Sequence, residues 1–150
     1  DAPLYIAKEK AAAVFHRLDK EDIMITADTI VLLENKIYGK PKDKLDAYNM
    51  IKTLSGKTHQ VITAVCCYSK DNHVNIEFSD ITNVSFTDID DEIIEKYLEN
   101  AEYIDKAGAY AVQGIASMFV EKIDGSYDNV VGLPMGRLAR NLIEYKINLF

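Results

Sequence analysis

The sequence predicts an α+β protein. Runs of β-branched and apolar residues follow one another across short turns, which indicates antiparallel hairpins. Segments with apolar residues at helical spacing lie before, between and after these runs. A composition of 48% hydrophobic and 27% charged residues over 150 residues is that of one ordinary globular domain, and no internal repeat or linker divides the chain.

Two helices and a hairpin are predicted in the first half of the chain. Helical spacing of apolar residues, with Pro3 suited to a first turn, predicts the first helix. A β-branched run then predicts a strand that turns at residues 34–36 into a short return. Asp43 is the expected cap of the second helix. The predicted bounds are 3–18 and 42–54 for the helices, and 23–33 and 37–39 for the hairpin.

A longer hairpin and two further helices are predicted in the second half. Its strands are expected to meet across a turn at Asp71-Asn72, and Asp88 and Asp90 are expected to cap a third helix of about three turns. A glycine-flanked loop, a short strand, a turn and a bend precede the last helix. The predicted bounds are 58–68 and 74–86 for the hairpin, 107–114 for the loop, 118–123 for the short strand, 124–126 for the turn, 130–134 for the bend and 135–145 for the last helix.

Charge and cysteine content exclude several classes of protein. The net charge of −7 gives no general attraction to phosphate backbones, so nucleic-acid binding is disfavoured. No apolar run approaches the ~20 residues that span a bilayer. Cys66 and Cys67 are adjacent in a predicted strand, so their side chains should point to opposite faces as buried small hydrophobes. This pattern, together with the lack of a signal peptide, predicts a reducing, cytoplasmic location.

Asp28 is the most informative single residue. It lies in the middle of an otherwise apolar predicted strand, where an ionised carboxylate is costly unless a cation, a metal or several donors surround it. Such positions are enriched at functional sites. The alternative is that the two-residue alternation of the strand places Asp28 on a solvated face. Thr29 beside it has the ordinary character of a strand residue.

Three lysines near turns or helix ends could meet a phosphate group. They are Lys10, Lys40 in Gly-Lys-Pro, and Lys57 in Ser-Gly-Lys-Thr. Neither a P-loop nor a Gly-x-Gly-x-x-Gly sequence occurs, and each lysine taken singly is typical surface charge. Gln113, in the glycine-flanked loop, could read a base edge or equally satisfy loop backbone.

Histidines give no sign of hydrolytic triad chemistry. His16, His59 and His73 are scattered, and no nucleophile-elbow serine accompanies them. His59, at the beginning of the predicted strand 58–68, is expected to be structural or solvent-facing.

Seven short segments, spread over nearly the whole chain, carry a family resemblance. The segments are Ala7-Lys8-Glu9-Lys10-Ala11, Ala27-Asp28-Thr29, Gly39-Lys40-Pro41, Ser55-Gly56-Lys57-Thr58-His59, Asp105-Lys106-Ala107-Gly108-Ala109-Tyr110, Gln113-Gly114 and Gly125-Ser126-Tyr127-Asp128-Asn129-Val130-Val131-Gly132-Leu133-Pro134. Each is weak alone, but their order and spacing together are specific. On these segments the chain resembles the Maf family, nucleoside triphosphate pyrophosphatases also described as septum-formation inhibitors.

This resemblance implies a fold and a set of roles. The fold would be similar to inosine triphosphatase, with a long curved mixed sheet and flanking helices in two lobes around a nucleotide cleft. Asp28 would be the proton acceptor and a metal-associated carboxylate, with Mg²⁺ or Mn²⁺ as the divalent cation. Lys10 and Lys40 would hold the triphosphate, and Thr29 and Gln113 would discriminate substrates. Gln113 resembles the branch acting on dTTP and UTP, whereas the branch acting on 7-methyl-GTP tends to have Glu there.

One departure from the family bears on activity. Members begin with a strand and a Ser-x-Arg-Arg phosphate loop followed by an acidic residue, and none of these precedes Asp1 here. If the chain is complete, weak or absent catalysis and an exposed sheet edge are expected. The alternatives to a pyrophosphatase are a non-catalytic nucleotide-binding or division-inhibiting protein, and a scaffold fragment completed by another chain. Because family members are often dimers, the resemblance also allows a homodimer.

Overall fold

The computed structural model describes residues 1–71 and 73–149, and in them the α+β class is confirmed. Short 3₁₀ segments link several of the regular elements. The helices are α1 (Ala2–Val14), α2 (Lys44–Leu54), α3 (Asp91–Tyr97), α4 (Tyr127–Val131) and α5 (Met135–Ile143). The strands are β1 (Ile23–Leu33), β2 (Lys36–Tyr38), β3 (Thr58–Ser69), β4 (Asn75–Phe86) and β5 (Val120–Asp124).

The five strands form one sheet in the order β2-β1-β3-β4-β5. Every pairing among the described residues is antiparallel, so the parallel pairs that a mixed sheet would add do not occur within them. The β1–β2 and β3–β4 pairings are hairpins, and a strand that returns after a short turn must run antiparallel, whereas β1–β3 and β4–β5 pair across longer connections. In the register, Thr29 lies opposite Thr63, and Thr63 lies opposite Asp80 on the next strand.

The sheet is covered on both faces. On one face, α1 packs Ala7 against Ala64 and Cys66, and small side chains let the helix approach so closely that the Thr26 hydroxyl donates to the Ala7 carbonyl at 2.8 Å. On the other face, α5 packs with Cys67 and its neighbours in a separate core. Both cysteines are fully buried and unpaired. The prediction that they point to opposite faces is therefore confirmed.

A third and larger core lies where α2 and α3 meet the sheet. Leu54, Ile94 and Phe119 are among its fully buried members. Asp43 caps α2 as predicted, since its side chain accepts from the Asp46 amide at 2.7 Å. Among the described residues, no helix combines the length and the apolar character that crossing a membrane requires.

Differences from the sequence-based predictions concentrate in the second half. Helix α3 has seven residues, about two turns rather than three, and the side chain of Asp90 at its N-cap makes no capping hydrogen bond. A 3₁₀ segment over Ile115–Phe119 delays the start of β5. Helix α4 was not predicted, because five residues are too few to display a helical period. The predicted Asp71-Asn72 turn includes Asn72, which lies outside the described residues.

Candidate functional site

A cleft of about 260 Å³ opens beside β1 and brings the candidate site residues together. All five of the residues singled out for substrate or metal binding line it, whereas Lys57 does not and is exposed elsewhere. The five residues are Lys10, Asp28, Thr29, Lys40 and Gln113. The fold thus gathers them from one helix, one strand and two loops, while the roles assigned to them stay predictions.

The cleft lies along one edge of β1. This strand pairs with β3 over Ile23–Leu32 in register, but with β2 only from Val31 to Leu33. Asp28 and Thr29 therefore stand where β1 has a strand neighbour on one side only among the described residues. This edge of β1, with the Asp28 and Thr29 side chains, is therefore open to a ligand in the cleft.

Asp28 forms an ion pair with Lys10 from α1. The Lys10 ammonium donates to Asp28 Oδ1 at 2.8 Å and to the Ala27 carbonyl at 2.9 Å. The Asp28 side chain is 17% exposed and that of Lys10 is 49% exposed. Within the described residues no hydrogen bond to Asp28 Oδ2 is formed. The carboxylate is thus neither freely solvated nor fully buried, and one of its oxygens remains available to a ligand.

Behind Thr29 lies a buried chain of hydrogen bonds. Thr29 Oγ1 and Thr63 Oγ1 are 2.9 Å apart, and the Thr63 hydroxyl donates to the Asn129 carbonyl at 3.0 Å. The Asn129 side chain donates from Nδ2 to the Val61 carbonyl at 3.1 Å and to Thr82 Oγ1 at 3.0 Å. Helix α4, whose N-cap is Ser126, holds Asn129 against β3 and β4. This network ties the floor of the cleft to the centre of the sheet.

Sequence reasoning missed Thr63 and Asn129 as contributors to the site. Thr63 lies in an apolar run that predicts only a strand, and its partner is 66 residues further along the chain. Asn129 belongs to one of the family segments, and that was the only available signal. Both residues are fully buried. A polar side chain with no exposure is unfavourable unless it is hydrogen-bonded, so burial is what marks them in the structure.

The opposite wall of the cleft is a loop with unusual backbone geometry. Gly108 has φ +69°, and a Cβ there would lie 2.9 Å from the Val31 side chain. The next residue, Ala109, also has positive φ, and its carbonyl accepts from the Tyr97 hydroxyl at 2.9 Å. The Gly108 amide donates to the Gly39 carbonyl at 3.1 Å. The loop that ends at Gln113 is therefore anchored to the segment that carries Lys40.

His59 is buried behind this wall, so the structural alternative offered for it is the correct one. Its Nε2 lies 2.7 Å from the Tyr110 hydroxyl, and its ring packs edge-on against Phe86 with centroids 4.9 Å apart. Desolvation lowers the pKa of His59 to about 4, and burial likewise raises the pKa of Tyr110. Both groups are neutral near pH 7. His59 thus acts as a polar anchor for the wall and has no direct access to the cleft.

A metal ion would find few protein ligands here. The described residues contain no cluster of three or more His, Cys, Asp or Glu side chains suited to a metal. The carboxylates that line the cleft are Asp28 and Asp105. This donor set does not fit an all-protein cage. It does fit Mg²⁺ or Mn²⁺ held by one or two carboxylates together with the phosphates of a ligand.

Fold and cleft together define a class: an α+β protein whose cleft combines cationic side chains with one ion-paired carboxylate, an arrangement suited to a phosphorylated ligand. The chain belongs to the Maf family, because the family described as "Maf-like protein" matches residues 1–145.

Several curated relatives agree with this membership. The chain is 45% identical over 143 residues to a dTTP/UTP pyrophosphatase of Ruminiclostridium cellulolyticum, covering 95% of this chain and 72% of the relative. It is 49% identical over 150 residues to a dTTP/UTP pyrophosphatase of Alkaliphilus oremlandii, covering 96% and 75%. A protein of the same name from Clostridium botulinum strain Alaska E43 is 47% identical over 139 residues, covering 93% and 74%.

Proposed function

We propose that this protein is a nucleoside triphosphate pyrophosphatase that converts dTTP, UTP and related noncanonical nucleotides to the monophosphate and pyrophosphate. The observation that carries the proposal is the position of Asp28, a carboxylate paired with Lys10 inside the cleft that Lys40 and Gln113 also line. The dTTP/UTP pyrophosphatases to which the chain is similar support the same reaction.

In the proposed reaction, water attacks the α-phosphorus. A new bond forms between the water oxygen and the α-phosphorus, the bond to the bridging oxygen of the β-phosphate breaks, and pyrophosphate leaves with that electron pair. Asp28 orients the water and accepts its proton at Oδ2, the oxygen that Lys10 does not occupy. Lys10 and Lys40 offset the negative charge that builds up on the leaving group.

We also propose that a divalent cation takes part. Asp28 would hold it together with the phosphates of the nucleotide, because the cleft lacks the carboxylates for a protein-only site. When bound, Mg²⁺ or Mn²⁺ supplies charge neutralisation across the phosphates. Asp28 would then contact both the cation and the water. Either each carboxylate oxygen would contact one of them, or the cation would replace Lys10 at Oδ1.

Gln113 and Thr29 are proposed to select the nucleotide. Gln113 is exposed at the rim of the cleft, and its amide can both donate and accept. A uracil or thymine edge presents carbonyl oxygens beside one N–H, so a side chain with both capacities suits it. Thr29 faces the same cleft from the strand.

The test follows pyrophosphate release from a panel of nucleoside triphosphates with Mg²⁺ or Mn²⁺, in water enriched in oxygen-18. Attack at the α-phosphorus puts the label in the monophosphate, and attack at the β-phosphorus puts it in pyrophosphate. The proposal expects labelled dTMP or UMP. Release of orthophosphate, or label in pyrophosphate, would contradict it.

One observation favours a second candidate, a nucleotide-binding protein that acts in cell division without turnover. Lys10 already satisfies Asp28 Oδ1 and the Ala27 carbonyl, so the carboxylate is compensated before any ligand arrives. This candidate predicts that nucleotide binding survives Asp28→Asn with no pyrophosphate released by either form. A cytoplasmic location is proposed for both candidates, and the two unpaired cysteines support it.

A further inference from the structure

The hydrogen bonds behind Thr29 run in one direction only. A threonine hydroxyl has a single proton, and that of Thr63 is donated to the Asn129 carbonyl. In the 2.9 Å contact between the two threonine oxygens, Thr63 must therefore accept and Thr29 must donate. A carbonyl oxygen can never donate, so this direction holds wherever Thr63 donates to the Asn129 carbonyl. The only proton of Thr29 consequently points into the protein.

The orienting group is rigidly held. Thr63 is fully buried and lies directly opposite Thr29 in the β1–β3 register. The Asn129 carbonyl also accepts from the Gly132 amide at 3.1 Å, and the Asn129 side chain is fixed to β3. Strands and a capped helix supply all of these groups, so the Thr63 hydroxyl is held facing the Asn129 carbonyl.

Thr29 meets the cleft as a hydrogen-bond acceptor. Its oxygen, having given its proton to Thr63, has lone pairs left, and it forms no other hydrogen bond within residues 1–71 and 73–149. Thr29 is half-buried and lines the cleft with Asp28 and Gln113. A side chain at Gly132 would bring a Cβ to 3.7 Å from Thr29 Oγ1, so the glycine leaves that side of the oxygen open.

We propose that Thr63 is a positioning residue that sets the specificity of the cleft by making Thr29 an acceptor only. The ligand must then present an N–H or O–H at this point, and a ligand with a lone pair there is disfavoured. The inference rests on the proposed pyrophosphatase function. In dTTP the matching donor is either the ring N3–H or the sugar 3′-hydroxyl, and the two sources can be separated experimentally.

The experiment compares kcat/KM for dTTP with two analogues, one altered in the base and one in the sugar. The base analogue is 5-methyl-dCTP, which keeps the ring methyl but has a lone pair at N3 and an amino group in place of the 4-carbonyl, so only the part of the preference that depends on Thr63 is assigned to N3. The sugar analogue is 3′-fluoro-3′-deoxythymidine triphosphate, which lacks the 3′-hydroxyl. One of the two analogues carries its altered group at the point that faces Thr29. For that analogue, kcat/KM of the wild type should be about tenfold lower than for dTTP, as expected when two acceptors face each other. Thr63→Val frees the Thr29 hydroxyl to donate, so this preference should fall at least about fivefold.

Two controls separate positioning from structure. Thr63→Ser restores a hydroxyl and should restore the wild-type preference. Ser69→Ala removes another buried hydroxyl from β3, and that hydroxyl bonds only to Asp71 and Val74 among the described residues, so the preference should stay at the wild-type value. Thr63→Ala provides a second variant without the hydroxyl if Thr63→Val fails to fold. The inference would be overturned if Thr63→Val and Thr63→Ala kept the preference for dTTP within twofold of wild type against both analogues.

Failure of the proposed function would look different. If wild type hydrolyses no triphosphate, the same ratios are measured as dissociation constants with α,β-imido forms of dTTP and both analogues. A preference that depends on Thr63 would then retain the inference for a binding protein. Ratios that are independent of Thr63, or no binding at all, would overturn it.

Discussion

Asp28 and Asp80 are two carboxylates of one sheet in similar surroundings. Each lies within a long strand, Asp28 in the mainly apolar β1 and Asp80 in β4, where polar and apolar residues are mixed. Each faces one cation, with Lys10 at 2.8 Å from Asp28 and Arg137 at 3.8 Å from Asp80. Their side chains are 17% and 24% exposed. By placement within a strand, burial and the presence of one cation, the two carboxylates are closely similar.

What distinguishes them is the space beside them and the other contacts of their cations. Asp28 opens into the cleft, and Asp80 does not line it. The Arg137 guanidinium donates to the Ser79 carbonyl at 2.6 Å and stacks over the Phe78 ring at 4.6 Å, so it is bound to the sheet with or without Asp80. A largely buried, ion-paired carboxylate in a sheet thus indicates an energetic cost, and only a neighbouring cleft makes such a residue a candidate site.

The largest expected effect tests this distinction directly. Asp28→Asn should lower kcat for pyrophosphate release from dTTP by roughly a hundredfold or more, because an amide cannot accept the proton of the attacking water. Asp80→Asn removes the same charge from the same sheet and should leave kcat within about threefold. Measuring both by pyrophosphate release at saturating dTTP checks the prediction. Equal losses in the two variants would mean that Asp28 acts through the fold.

The next effect concerns His59, a buried titratable group that, unlike Asp28 and Asp80, has no ionic partner among the described residues. Desolvation lowers the pKa of His59 from 6.5 to about 4. Between these values the unfolded chain binds a proton that the folded chain does not, so stability falls as the pH drops from 6.5 towards 4. The loss amounts to about 3 kcal/mol in the free energy of unfolding, and above pH 6.5 the group has no effect.

Urea unfolding of wild type and His59→Gln from pH 7 to pH 4 measures this term. Carboxylates titrate in both proteins, so the difference between their pH slopes isolates His59. The wild type should lose more stability than the variant over this window, by about 3 kcal/mol. Parallel slopes would show that the ring is charged or hydrated in the folded protein.

The smallest expected effect compares two lysines of one helix. Lys10 faces Asp28 in the cleft, while Lys8 pairs with Glu77 at 2.9 Å on another part of the sheet. Lys10→Met should lower kcat/KM for dTTP about tenfold or more, because one charge-assisted contact to phosphate is lost. Lys8→Met should change it less than twofold. If both variants retain wild-type kcat/KM, Lys10 is not a phosphate ligand.

Much of the fold could be predicted because local signals mark its boundaries. The β-branched run of β1 ends at Glu34 and Asn35, whose positive φ values make a tight turn that polar residues tolerate, and the predicted strand bounds were confirmed. Helix α4 escaped prediction, since its only local signal is the Ser126 cap on a five-residue helix. Long elements carry their period in their own residues, and short ones form only where the rest of the chain holds them.

The candidate site, like the fold, was predictable where a residue carries a signal in its own stretch of sequence. Asp28 could be found because a charge in an apolar strand is costly wherever the strand lies. Lys10, Lys40 and Gln113 could be named as candidates from their positions near turns, helix ends and a loop, but their roles came from the family resemblance, since single polar residues have no spacing that indicates a site. Thr63 was out of reach because the direction of a hydroxyl proton depends on a carbonyl brought near by folding.

The two adjacent cysteines give this chain a built-in pair of reporters. Cys66 is covered by α1 and Cys67 lies in the core that α5 completes, so each thiol is shielded by a different helix. Burial raises the pKa of Cys67 to about 11, which keeps it unreactive until its cover departs. The rates at which the two thiols are alkylated, measured by mass spectrometry, would therefore report the detachment of the N-terminal and C-terminal helices separately. No engineered cysteine is needed.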